Sequence, residues 1–291
     1  VRSRIFLDVR TDRPVESSWG VKTREAIIYE CPQSGLRFRI PASQDEVLEF
    51  YEHDYHDSMT GNASSPRLQA YRRENEARIA TLQRFCRGGR VLDIGCSAGI
   101  FAAQLAAAGF EVYGNDLSEY ACEQTRQKIG TDHVFQGPLE GFAEQLRGQL
   151  DAVTMMDVIE HFSDVVQPLE IIRDMLKPEG ILFLRTPTLR SPFYRVADWT
   201  YRLSGGHYKD AILKIYHAEH FYFFNEKNIR VLLEDLGYEV LSIDPDPLSW
   251  RSFRTAELNQ GPLINAALAF FYFAGRLFGR GHGMKVIARP A

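Results

Sequence analysis

The chain has 291 residues, is 45% hydrophobic and 25% charged, and carries a formal net charge of −4. That is enough chain for one large domain with an appendage, and the negative balance argues against a general nucleic-acid coat, which needs a basic footprint. The four cysteines (Cys31, Cys86, Cys96, Cys122) are scattered without a CxxC pair, so the sequence reads as cytoplasmic, with no disulfide framework and no zinc knuckle.

Residues 1–66 precede the regular pattern and read as an N-terminal cap, with 51–66 as its flexible exit. The first twenty residues hold no long apolar run and so no signal peptide, although residue 1 is not Met and a removed leader stays open. From residue 90 strand and helix alternate. "RVLDIG" (90–95) is a buried strand, and "GIFAAQLAAAG" (99–109) is a helix that Gly109 stops. "EVYGND" (111–116) is the next strand, and Ser118 caps a helix running to Gly130. "HVFQG" (133–137) is a short strand, followed by a helix near 141–148 and the strand "LDAVTMMDV" (150–158). Pro168 opens a helix, "KPEG" (177–180) turns out of it, and "ILFLRTP" (181–187) is a strand. Asn225 caps a helix striped by Ile229, Leu232, Leu233 and Leu236, and 238–244 and 284–289 are the last strands.

Such alternation with short links implies a Rossmann-like, doubly wound α/β fold: a seven-stranded, mostly parallel sheet with an antiparallel last strand. The domain would cover 67–291, with a lid insert at 188–217 and an apolar helical insert at 246–282. The apolar stretch 262–280 is too short and interrupted to span a bilayer. It reads as a buried helix, a dimer seam, or a contact with a membrane interface.

The turn after the first strand, "VLDIGCSAGIF" (91–101), selects the ligand. Counted from Gly95 as a GxGxxG motif, the second and third positions are Ser97 and Ile100, and Asp93 would repel a diphosphate. S-Adenosylmethionine has no phosphate. Its ammonium suits Asp93, its carboxylate suits the free N–H groups that open the next helix, and its ribose diol suits Asp116 at the end of the second strand.

Several segments in order resemble the motifs of class I S-adenosylmethionine-dependent methyltransferases. They are "VLDIGCSAG", "GNDLS", "FQGPLEGF", "LDAVTMMDVIEHFSDVVQPLEIIRDMLKPEGILFLRTPT" and "EHFYFFNEKNIRVLLEDLGYEV", over about residues 66–245. The nearest branch is the small-molecule one that includes ubiquinone-biosynthesis O-methyltransferases and natural-product and glycan methyltransferases. The resemblance implies that Asp93, Gly95, Cys96, Ser97 and Gly99 wrap the methionine part and that Asp116 takes the ribose. It places Leu117 and residues 137–140, Leu139 among them, around the adenine, with Met156 and Asp157 lining the site. Ser97 stands where glycine is commoner, so its backbone must suit a residue with a side chain. Related enzymes often carry an N-terminal metal ribbon. Here "YECPQSGLRFRIP" keeps only Cys31, so the cap is expected to hold no metal, and the aromatic run "EFYEHDYHD" folds over the cofactor instead.

The catalytic candidates are His161 in "DVIEH" and His220 in "HAEHFYFF", with His217 a weaker one. A helical turn after the fourth strand would put Asp157, Glu160 and His161 on one face. Ubiquinone-type relatives carry a similar cluster implicated in metal binding, but a His161 base is preferred and no metal is assigned. The plainer reading makes Glu160 solvent-facing or paired and both histidines structural. The lid, with Phe193, Tyr194, Trp199, Tyr201, Tyr208 and Tyr216 beside Arg190, Arg195 and Arg202, either packs on the sheet or stacks on a ring while its arginines meet a phosphate or carboxylate.

The expected function is methyl transfer to a small-molecule hydroxyl: a sugar, a phenol or polyketide, or a lipid-linked glycan. The alternatives are a silent cofactor-fold scaffold and, less well supported, a nicotinamide-dependent oxidoreductase. Expected partners are the acceptor, no nucleic acid, and a membrane surface or second copy through 262–280.

Overall fold

The computed structural model describes residues 4–16, 22–40, 66–207, 209–216, 219–247, 249–257, 262–277 and 281–291. The expected aromatic cover within 41–65, and His217, lie outside these residues.

The chain begins with a long antiparallel pair, β1 (Arg4–Glu16) and β2 (Lys22–Glu30), and a short β3 (Arg37–Phe38). The helix α1 (Pro66–Leu82) follows. It is absent from the sequence reading above, because Ala70, Ile79 and Leu82 are its buried apolar residues in an otherwise polar segment. The alternating part then runs β4 (Gly89–Ile94), α2 (Ile100–Ala107), β5 (Phe110–Asp116), α3 (Glu119–Ile129), β6 (Val134–Gln136), β7 (Leu150–Met156), α4 (Val166–Met175) and β8 (Leu176–Pro187). After it come α5 (Pro192–Leu203), α6 (Lys209–Ile215), β9 (Tyr222–Phe223), α7 (Glu226–Asp235), β10 (Tyr238–Asp246), α8 (Trp250–Glu257), α9 (Pro262–Leu277) and β11 (Gly283–Pro290).

The main sheet has seven strands in the order β10-β11-β8-β7-β4-β5-β6. The expected antiparallel last strand is there, and its place is specific. β11 slides between β8 and β10 and runs antiparallel to both, pairing Val286 with Leu184 and with Ile243. Side chains alternate across the sheet. Leu92, Val153, Leu182 and Val286 meet Leu169 and Ile172 of α4 and Ile229 and Leu233 of α7. Val91, Ala152, Phe183 and Ile287 meet Ile79 and Leu82 of α1 and Phe101 and Leu105 of α2. Both faces are therefore buried, which is why these strands read as near-continuous apolar runs.

Two caps fall where the sequence puts them, whereas α4 starts at Val166, two residues before the Pro168 expected to open it. Ser118 accepts from the Ala121 amide, and Asn225 and Asn228 form a reciprocal box at the start of α7. Two further local expectations change. The helix near 141–148 is a pair of 3₁₀ turns, Leu139–Gly141 and Ala143–Leu146, too short to complete an α-helical ladder. Lys177–Gly180 is a bulge inside β8, with pairing that jumps from Leu150↔Leu176 to Ala152↔Ile181.

The cap and lid are built together. β3 pairs antiparallel with β9, which extends the N-terminal sheet to four strands, and α5 and α6 cover it. Leu7, Val9, Ala26 and Ile28 of the sheet pack on Tyr194, Ala197, Ile212, Leu213 and Tyr216 of the lid segment. Arg37 ties the layers. Its guanidinium donates to Glu30 at 3.2 Å, to Asp198 at 2.9 Å and to the Tyr216 hydroxyl. Tyr216 in turn donates to Asp198 at 3.0 Å. In the 246–282 segment, α8 is fixed to α1 through Ser249 and Ser252, both bonded to Glu74, and Phe253 stacks on Tyr272 at 4.6 Å. Phe270, Phe273 and Leu277 of α9 are exposed. Among the described residues, no helix is long and apolar enough to cross a membrane.

Arg37→Ala is expected to strand the buried Asp198 carboxylate at a cost of about 3 kcal/mol. Limited proteolysis should then cut the lid faster while the main sheet keeps its circular dichroism; an unchanged cleavage rate would deny the tie a structural role.

Candidate active site

The site is assembled at the carboxyl ends of β4, β5, β7 and β8. Asp93 is 2% exposed and accepts from Thr154 Oγ1 at 2.8 Å. Burial, and then the Asp116 charge, push its carboxyl up to about 7 against that hydrogen bond. The chain then turns through Gly95 (φ 67°), Ser97 (φ 49°) and Gly99 (φ 70°). A Cβ on Gly95 would sit 2.5 Å from Val158 Cγ2, and one on Gly99 would sit 2.7 Å from Thr125 Oγ1. Both glycines are thus required by space as well as by dihedral. Ser97 does occupy the left-handed region, which costs about 1–2 kcal/mol for a residue with a Cβ. Its backbone is pinned on both sides: its amide donates to Asp116 Oδ2 at 2.8 Å, and its carbonyl accepts from Thr125 at 3.0 Å.

Asp116 also accepts from the Ser118 amide through Oδ1 at 3.0 Å, so one carboxylate bridges the two turns that follow β4 and β5. Cys96 is buried, and burial pushes its thiol well up, which keeps it protonated and unreactive. Leu117 is half-exposed at the rim, whereas Leu139 is 5% exposed and packed in the main core. Met156 is partly buried at the end of β7.

The "DVIEH" segment departs from a single helical face. Asp157 stands at φ 59°, outside the 3₁₀ turn Ile159–His161, and its carboxylate takes a hydrogen bond from Arg185 Nη1. Glu160 is 1% exposed and accepts from Thr186 Oγ1 at 2.9 Å, so it does not face solvent. Burial, and then the Asp157 charge, raise its carboxyl to about 8. His161 Nδ1 lies 3.0 Å from the Glu219 carbonyl oxygen, and its ring meets His220 edge-on at 4.7 Å. One ligand-capable atom from each of Glu160, His161 and His220 lies within 4.8 Å of the others. Three donors so placed have the spacing to hold a cation, and they include His220 in place of Asp157. Val158, packed over Gly95, sets this turn directly beside the glycine turn.

Arg185 is the functional-edge residue absent from the sequence reading. It is 7% exposed, pairs with Asp157, and reaches Asp246 at 3.2 Å. Arg78 of α1, 3% exposed, holds the same Asp246 oxygen at 2.7 Å. Burial alone would raise the Asp246 carboxyl, but Arg78 and Arg185 outweigh it and hold it below the ordinary range. A lone arginine inside the apolar run "ILFLRTP" is the signal that points to this network.

A family profile described as "Methyltransferase domain" matches residues 68–243. The chain belongs to the class I S-adenosylmethionine-dependent methyltransferase family. It is similar to the ubiquinone biosynthesis O-methyltransferase of Aromatoleum aromaticum, with 39% identity over 106 residues that make up 34% of this chain and 44% of the relative. The Xanthomonas campestris pv. campestris protein of the same name is 36% identical over 140 residues, 43% of this chain and 57% of the relative. The chain thus spans about half the length of these relatives. Among solved structures, it superposes on the magnesium protoporphyrin IX methyltransferase of Synechocystis PCC 6803 with bound S-adenosylhomocysteine. That match has a TM-score of 0.57 at 16% identity, covering 86% of this chain and 100% of that one. A SAM-dependent methyltransferase from Archaeoglobus fulgidus gives 0.52 at 18% identity, covering 75% and 93%. These two show the shared fold.

Replacing Arg185 by Leu should leave Asp157 and Asp246 short of a buried cation and lower stability by about 3–5 kcal/mol. Chemical denaturation measures it; a midpoint equal to that of the parent would mean that the ion network contributes nothing to folding.

Proposed function

We propose that the chain transfers the methyl group of S-adenosylmethionine to a hydroxyl of a small-molecule acceptor: a sugar, a phenol or polyketide, or a lipid-linked glycan. The observation that carries this reading is the position of His161 beside the glycine turn. A carbonyl oxygen only accepts, so His161 Nδ1 carries the proton and Nε2 is the basic nitrogen. His161 is the proposed base that takes the acceptor's proton, with His220 packed edge-on to orient it. The names of the O-methyltransferase relatives support oxygen as the acceptor atom.

S-Adenosylmethionine, when bound, supplies an electrophilic methyl on its sulfonium sulfur. In this reading Asp93 faces the ammonium, and Gly95, Cys96, Ser97 and Gly99 follow the methionine part. Asp116 takes the ribose: each of its oxygens accepts one backbone amide, and a carboxylate keeps further lone pairs for hydroxyls. Leu117 and Leu139 bracket the adenine from rim and core, and Met156 and Asp157 close the β7 side. The chain's own contribution to rate is to align donor and acceptor. The free cysteines support a cytoplasmic setting, and the exposed Phe270, Phe273 and Leu277 stripe supports a peripheral lipid contact or a dimer seam.

A second reading has its own observation. Glu160 Oε1 is buried and has no hydrogen bond among the described residues, and it stands within the Glu160–His161–His220 group. A divalent cation there would acidify an acceptor hydroxyl and take over from the base.

With an acceptor found from a panel of phenolic and sugar hydroxyls, His161→Ala should lower kcat by about 10²–10⁴ while S-adenosylhomocysteine affinity stays the same. Undiminished turnover would remove His161 from the chemistry, and activity lost to a chelator and restored by zinc or manganese would assign the role to a metal.

Cofactor binding should also depend on pH. The Asp93 carboxyl titrates at about 7 when no cation faces it, and a bound ammonium favours its ionised form. Below about pH 7, binding therefore expels a proton, and S-adenosylhomocysteine affinity should rise by up to about tenfold per pH unit, then level off above 7. Calorimetry from pH 5.5 to 8.5 reads this directly; Asp93→Asn should bind more weakly and with a flat profile, and a flat profile in the parent would separate Asp93 from the ammonium.

A further inference from the structure

A cavity lies away from the glycine turn. It is an open groove of about 700 Å³ between the N-terminal sheet, α5 and the first turn of α7. Five cationic side chains line it against three carboxylates, a local reversal in a protein whose net charge is −4. Each carboxylate is already matched. Glu30 and Asp198 are both held by Arg37, and Glu226 lies 3.6 Å from Arg190. Arg230 leans on Glu234 of its own helix at 3.4 Å. Two cations are left over. Among the described residues, neither the Arg195 guanidinium nor the Lys227 ammonium has an ion pair or a side-chain hydrogen bond, yet both line the groove, one from α5 and one from α7.

The groove also has an apolar and aromatic side, Leu189 and Tyr194. Leu189 belongs to the loop that leaves the end of β8, held by its amide on the Phe224 carbonyl at 2.8 Å. Tyr194 also meets Phe223 edge-on at 6.1 Å, and Phe223 lies 6.2 Å from the His220 ring. The groove and the Glu160–His161–His220 group are therefore joined through the Tyr194 and Phe223 rings. Two uncommitted cations lining one groove suit a dianion, and a guanidinium fork suits the oxygens of a phosphate.

We propose that this groove is an anion site that anchors a phosphate-bearing acceptor, with Arg195 and Lys227 as its principal ligands and Leu189 and Tyr194 against the attached ring or sugar. The proposal rests on the methyltransferase reading for the word acceptor, and on the groove alone for the anion.

The test uses the full chain, saturated with S-adenosylhomocysteine, titrated calorimetrically with inorganic pyrophosphate at fixed ionic strength. Saturable binding is expected, weakened by at least about tenfold in Arg195→Ala/Lys227→Ala. The same loss of charge at a distant surface, Arg84→Ala/Arg87→Ala, should leave it unchanged, and acetate should bind far more weakly than pyrophosphate. The groove assignment is overturned if pyrophosphate does not bind, if the double variant binds it as well as the parent does, if the distant pair loses as much, or if acetate competes equally. Failure of the chain to bind S-adenosylhomocysteine at all would sink the methyltransferase reading instead and leave the pyrophosphate result to stand by itself.

Discussion

Arg185 is the constraint around which the site is arranged. Its guanidinium is buried at the carboxyl end of β8, between the carboxylates of Asp157 and Asp246. Arg78 brings α1 onto the same Asp246 oxygen. Buried charges are tolerated only when paired and hydrogen-bonded. The network therefore fixes the relative positions of α1, β8, the end of β10 and the residue after β7. Asp157 is held in a left-handed conformation by that pairing, and the turn carrying Glu160 and His161 starts from it.

The same edge holds two carboxyl groups in different surroundings. Asp116 lies at a partly open rim and receives two backbone amides, and its charge serves to join two turns. Asp93 lies in the sheet, with one hydroxyl for company, and burial drives its carboxyl up to about 7. An acid in that condition gains from a cation nearby, while an acid already bridging amides gains from neutral hydroxyl donors. The proposed cofactor assignment uses that difference, with Asp93 for the ammonium and Asp116 for the ribose hydroxyls.

The lid is less an insertion than half of a second layer. Its helices cover a sheet whose other strands come from the start of the chain, and β9 closes that sheet from within the main domain. Arg37 joins these parts through Glu30, Asp198 and Tyr216. Because α5 packs inward on the sheet through Tyr194 and Ala197, Arg195 is left on its outward side with Trp199, Arg202 and Leu203. That packing gives the neighbouring groove its unmatched Arg195.

The seven strands, the glycine turn and both strand-end acids were legible in the sequence because each depends on local chemistry: a buried parallel strand must be apolar throughout, and a tight turn must be small. The caps at Ser118 and Asn225 were legible for the same reason. Sequence spacing misgrouped "DVIEH", since Asp157, Glu160 and His161 share a face only in a regular helix. Tertiary packing turned Asp157 to Arg185 and brought His220, some sixty residues on, against His161. Likewise α1 hid behind a polar composition, and the slot of β11 between β8 and β10 required both partners to exist before it could be read. Periodicity and turn chemistry are carried by neighbours in the chain and can be read there. Ion networks, strand order and the meeting of two histidines are settled by which buried groups find partners, and that is decided only when the layers close.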